Sequence, residues 1–92
     1  MPTRYADITP SPPKDGSEIR DLLHPAQHGN RQPSLAEARV APGEQTRLHR
    51  HHVTEELYHV TAGQGLMTLG EQGFAVQPGD TVCIPPGTPH CI

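Results

Sequence analysis

Tryptophan is absent from this 92-residue chain, phenylalanine occurs once and tyrosine twice, and apolar residues make up 33%. So few large apolar side chains argue against a helical bundle, which depends on them to fill its core. They also imply that help from a metal ion or a partner subunit stabilises the fold. Long apolar runs are missing too, so no segment reads as a membrane span, and Met1-Pro2-Thr3-Arg4 opens no signal peptide. The cytoplasm is the expected location. The seven Lys and Arg residues are scattered, no aromatics are interleaved with them, and the net charge is −3. That pattern gives no reason to expect nucleic acid as a partner. The two cysteines, Cys83 and Cys91, form neither a CxxC pair nor a disulfide framework and read as reduced thiols on strands.

Proline and glycine are plentiful, at eleven and nine residues. They divide the chain into short segments separated by turns, the pattern of an all-β fold. Residues 1–33 carry Pro2, Pro10, Pro12, Pro13, Pro25 and Pro33 and are expected to form an extended N-terminal arm packing on a β-barrel formed by the remaining residues or on a partner subunit. Pro10-Ser11-Pro12-Pro13 also fits a PxxP ligand pattern. The run Ser17–Leu23 reads two ways. Ile19, Leu22 and Leu23 have helical spacing behind a potential Ser17 cap, yet the run is too short to stand as an isolated helix.

Alternation of apolar and polar residues marks a strand over Leu35–Val40, closed by a Pro42-Gly43 turn. Further strands are expected over Thr46–His51, Glu56–Thr61, Leu66–Leu69, Phe74–Gln77 and Thr81–Pro85. In an extended strand His49 and His51 share a face roughly 7 Å apart, while His52 points away. A turn at Val53-Thr54 would fold the next strand back antiparallel and bring Glu56 beside both imidazoles. Two histidines and a carboxylate on one face suit a divalent ion; packed in a core without one they would be short of partners. Arg47 lies on the same face and reads either as an anchor for a substrate anion or as a rim residue facing water. Tyr58 shares the face of Glu56 and reads as a hydrogen-bonding group for a ligand or as wall. His52 and His59 are expected to face away from the ion.

Two segments together resemble the paired motifs of the cupin superfamily. The first is Gly43, five residues, His49-x-His51, four residues, Glu56, six residues, Gly63. The second is Gly79, five residues, Pro85-x-Gly87, two residues, His90. The resemblance covers residues 34–92 and implies a small antiparallel jelly-roll β-barrel with one divalent transition-metal ion held by His49, His51, Glu56 and His90. Those ligands would accept Fe, Mn, Ni, Zn, Cu or Co. An octahedral ion would keep two positions for a small molecule, so the implied function is a metal-dependent, dioxygenase-like enzyme on a small anionic or carbonyl-bearing molecule. Isomerase or lyase chemistry, and a non-catalytic binding or sensing module, are the alternatives. In that reading Arg47 and Tyr58 would be the catalytic pair, and a homodimer is expected. The family's second motif usually continues to an asparagine three residues past its histidine. Here the sequence ends at Ile92, which leaves open a shortened barrel or a partner chain that covers the gap.

Overall fold

The computed structural model describes residues 2–12 and 16–92. They divide into a first compact unit ending at Gln45 and a second over Thr46–Ile92. Pro13, the last residue of the PxxP run, lies outside the described residues.

In the first unit a short 3-10 turn over Tyr5–Asp7 precedes strand β1 (Glu18–Leu23), helix α1 (Pro25–His28) and strand β2 (Leu35–Arg39). The run Ser17–Leu23 resolves as strand rather than helix. Strand β1 pairs antiparallel with β2, Ile19 opposite Ala38 and Arg20 opposite Glu37. An antiparallel ladder of inter-strand hydrogen bonds, irregular only between Asp21 and Leu23, outweighs the weak helical preference of seven residues. Residues of the proline-rich segment fold onto this two-stranded sheet. The Thr3 hydroxyl donates to the Leu22 carbonyl at 2.6 Å, and the Ser11 amide donates to the Ile19 carbonyl at 2.8 Å. Tyr5 donates its phenol to Glu37 Oε1 at 2.5 Å, and the Arg20 guanidinium lies 4.3 Å from the Tyr5 ring centroid. Helix α1 is a single turn. His24 Nδ1 accepts from the Ala26 amide at its start, and Gly29, at φ 78°, ends it.

The second unit is built from β3 (Glu56–His59), β4 (Gly65–Leu69), β5 (Gln72–Val76), β6 (Thr81–Ile84) and β7 (His90–Cys91). Strands β3 and β6 form one sheet, and the order β5-β4-β7 forms another. Every pairing among the described strands is antiparallel. With only one turn of α-helix among the described residues, the chain is all-β, as its turn-rich composition implies.

Period-two alternation sets the core. Met67, Val76 and Ile84 are buried, and Tyr58, Val60, Leu69, Phe74, Val82 and Ile92 pack against them. Each fully buried aliphatic side chain stabilises the unit by about 2 kcal/mol. The intervening residues Leu57 and Leu66 point outward to solvent. The same alternation puts Glu56 and Tyr58 on the inner face of β3 and His90 on the inner face of β7, beside Leu69.

The sequence pattern differs from the structure at one place that matters for the site. No continuous strand forms over Thr46–His51, and its expected hairpin with the Glu56 strand is not made. Strand β3 pairs with β6, with Glu56 opposite Ile84. The Thr46–His51 segment instead meets the far end of the chain through one isolated bridge, His49 to His90. Its irregular ladder explains why the segment does not continue as a strand.

Candidate metal centre

His49 and His90 face each other as a hydrogen-bonded antiparallel pair. The His49 amide donates to the His90 carbonyl at 3.0 Å, and the His90 amide donates to the His49 carbonyl at 2.8 Å. A regular ladder would place its next reciprocal pairs at Arg47 with Ile92 and at His51 with Thr88. Neither occurs. On one side the Thr46 amide donates to the Ile92 carbonyl at 2.7 Å. On the other the Gly87 amide donates to the His51 carbonyl at 2.6 Å. Each strand therefore carries one extra residue on the N-terminal side of its histidine, a β-bulge in each direction.

The bulges set the rings. The carbonyls of Arg47 and Thr88, out of register with the ladder, accept from imidazoles instead. His49 Nδ1 donates to the Arg47 carbonyl at 2.8 Å, and His90 Nδ1 donates to the Thr88 carbonyl at 3.0 Å. A carbonyl only accepts, so both Nδ1 atoms carry a proton, which leaves Nε2 of each ring as the nitrogen that could coordinate. Metal-ligating histidines are held this way, with the second nitrogen donating to a carbonyl or carboxylate.

Glu56 enters from β3. Its Oε2 lies 2.8 Å from His51 Nε2, and its Oε1 lies 3.7 Å from His90 Nε2. The ring centroids of His49 and His90 are 4.2 Å apart, and those of His49 and His51 are 5.6 Å apart. One donor atom from each of His49, His51, Glu56 and His90 lies within 4.8 Å of the others. The four are positioned to bind a metal ion.

His90 tests that fit. It is 0% exposed, and its Nε2 has no hydrogen-bond partner among the described residues. A buried nitrogen without a partner costs on the order of 1–3 kcal/mol, and coordination of a cation removes that cost. Three imidazoles and one carboxylate form a donor set suited to a first-row transition ion, and four ligands leave an octahedral ion two further positions.

The site is asymmetric. His90 and Glu56 close its inner side, while His49 and His51 lie at the exposed rim. Tyr58 belongs to the inner wall, with its ring edge-on to His90 at 5.8 Å between centroids. Burial pushes its phenol pKa well up, and the neighbouring Glu56 carboxylate adds to the shift. Arg47 is exposed, and its carbonyl is the one that holds His49. His52 and His59 fall outside the donor set. His59 Nδ1 instead pairs with the Thr81 hydroxyl at 2.7 Å. Thr46 is the residue that sequence reasoning passed over. It is buried, and its hydroxyl accepts from the Ile92 amide at 2.9 Å. Strict alternation would set Thr46 on the face opposite His49, and the extra residue between them breaks that alternation.

Comparison with known proteins bears on the family and the fold. Residues 36–92 match the model of a family described as the Cupin domain. An uncharacterized protein of Methanocaldococcus jannaschii is 51% identical over 90 residues, spanning 98% of this chain and 72% of that protein. The protein SchB of Streptomyces halstedii is 31% identical over 86 residues, spanning 94% of this chain and 62% of SchB. The chain thus matches less than two thirds of the length of SchB. The crystal structure of a predicted oxalate decarboxylase from Thermotoga maritima superposes with a TM-score of 0.86 over 99% of this chain and 84% of that one. Its 24% identity makes that a likeness of fold.

Proposed function

The chain belongs to the cupin domain family, and from that premise we propose that it is a mononuclear metal-dependent enzyme acting on a small anionic or carbonyl-bearing molecule, with dioxygenase-like chemistry. The observation that carries this reading is the buried, unpartnered Nε2 of His90 beside Glu56 and two further imidazoles. His49, His51, Glu56 and His90 hold the ion, which when bound supplies a Lewis acid and open positions for a small ligand. The chain's own groups do the rest. Arg47 anchors the anionic end of the substrate by charge-assisted hydrogen bonds from the rim. Tyr58, a protonated phenol at neutral pH, donates a hydrogen bond from the inner wall to the bound molecule. Met67 and Ile84, both about 1% exposed, fill the interior behind the site, so substrate approaches from the side of His49 and His51.

The protein acts in the cytoplasm and as a homodimer in this reading. No helix among the described residues is long and apolar enough to cross a membrane. A second reading, a non-catalytic module that captures a small ligand or keeps the ion for stability, is favoured by the small buried core, Met67, Val76 and Ile84 among the described residues.

A panel of small carboxylic acids and carbonyl compounds, assayed with metal-loaded protein for oxygen uptake and substrate loss, separates the two. Turnover that disappears in Glu56→Ala supports the enzyme. A panel without any turnover in protein that retains its ion supports the binding module.

A further inference from the structure

We infer that Thr46 is a positioning residue for the metal centre: its hydroxyl takes a place in the ladder that a backbone carbonyl would otherwise fill, and so fixes the orientation of His49. The inference rests on the metal-binding reading of His49, His51, Glu56 and His90.

In a regular antiparallel ladder around the His49–His90 pair, the Ile92 amide would donate to the Arg47 carbonyl. It donates instead to the Thr46 hydroxyl at 2.9 Å, while the Thr46 amide donates to the Ile92 carbonyl at 2.7 Å. One side chain thus completes the bond pair that the bulge interrupts. The Arg47 carbonyl accepts His49 Nδ1–H at 2.8 Å. That bond sets the tautomer and aims Nε2 at the position shared with Glu56 and His90. Thr46 is 8% exposed, so its hydroxyl has little access to water as a substitute. A side chain at this position without an oxygen leaves the Ile92 amide unsatisfied, and the simplest remedy is a return of that amide to the Arg47 carbonyl. His49 would then share its acceptor with the Ile92 amide, and the shift of the Arg47 carbonyl into the ladder would turn it away from the line that orients the ring, although Thr46 itself touches no ion.

The opposite strand lacks this device. There the extra residue is accommodated at Gly87, with φ 79° and no side chain to contribute. The two histidines are therefore held by unlike means, and the hydroxyl acts on His49 alone.

Loss of an outer hydrogen bond of this kind weakens metal affinity about 10–100-fold. The test is titration of the metal-free full chain with Co2+, read by the visible ligand-field bands, for the wild type, Thr46→Val and Thr46→Ser. Thr46→Val, nearly isosteric, is expected to bind Co2+ at least tenfold more weakly and with altered bands. Thr46→Ser, which keeps the hydroxyl, is expected to restore both to wild type. A Thr46→Val protein with wild-type affinity and bands overturns the inference, even if its thermal midpoint falls, because Thr46 would then serve stability alone. Should Thr46→Val fail to fold, Thr46→Ser decides: affinity within about twofold of wild type supports the role of the hydroxyl, and a tenfold loss overturns it. A wild-type chain that binds no Co2+ removes the metal reading itself and this inference with it. That outcome is distinct from equal binding by wild type and Thr46→Val.

Discussion

His49 and His90, forty-one residues apart in the chain, exchange both backbone hydrogen bonds, at 3.0 and 2.8 Å. Each ring is then held at Nδ1 by the carbonyl two residues before it. The two cupin motifs therefore meet as one bulged ladder, and the site depends on the backbone as much as on its side chains.

The two histidines of this pair differ in environment, which separates their roles in stability. His90 is fully buried, so His90→Ala leaves a cavity and is expected to cost on the order of 2–3 kcal/mol in metal-free protein. His49 is exposed, and His49→Ala is expected to cost less than about 1 kcal/mol under the same conditions. Urea unfolding midpoints in the presence of a chelator measure both. Equal losses would show that His49 is needed for the fold itself.

Gly87 at φ 79° turns its amide onto the His51 carbonyl at 2.6 Å. A Cβ there would meet no atom within 4 Å, so only the backbone conformation resists substitution. Gly87→Ala is expected to destabilise the protein by about 1 kcal/mol, the cost of a non-glycine residue in the left-handed region. Denaturant unfolding measures it, and an unchanged midpoint would mean that the turn relaxes.

Tyr58 predicts an alkaline effect. Its phenol pKa in the folded protein is raised above the ordinary 10.0, first by burial and then by Glu56. The unfolded chain therefore loses this proton at lower pH than the folded one. The resulting stability is fully present below about pH 10 and is lost as pH rises from there toward the folded value. Between pH 9 and pH 11 the unfolding midpoint of wild type should fall further than that of Tyr58→Phe. Parallel curves for the two proteins would contradict the burial of the phenol.

The spacing His49-x-His51 with Glu56 and His90, and the glycine-bounded strands, were legible because ligands and turn residues leave strong local marks. Five of the six expected strands lie where alternation placed them, to within about two residues at each end. The first-motif segment was not legible as it stands. Alternation treats Thr46–His51 as an unbroken strand and cannot register an extra residue, which depends on a partner ninety positions into the chain. Strand β7 escaped notice for the same reason, since two residues carry no periodicity. Ser17–Leu23 went to strand because β2 supplied a ladder that the local sequence does not announce.

Ion binding should raise stability by mass action. With a free divalent ion at about 100 times its dissociation constant, the gain is about 2.7 kcal/mol. Calorimetry with and without a chelator reads this as a reversible rise in the unfolding midpoint. The rise should vanish in His51→Ala, and a rise that persists there would place the ion elsewhere.

Elemental analysis of purified protein beside a His49→Ala/His90→Ala variant tests the metal centre most directly. The donor set predicts about one transition-metal ion per wild-type chain and its loss in the variant. A wild-type chain that holds no ion even after reconstitution, or a variant that retains a full complement, would contradict it.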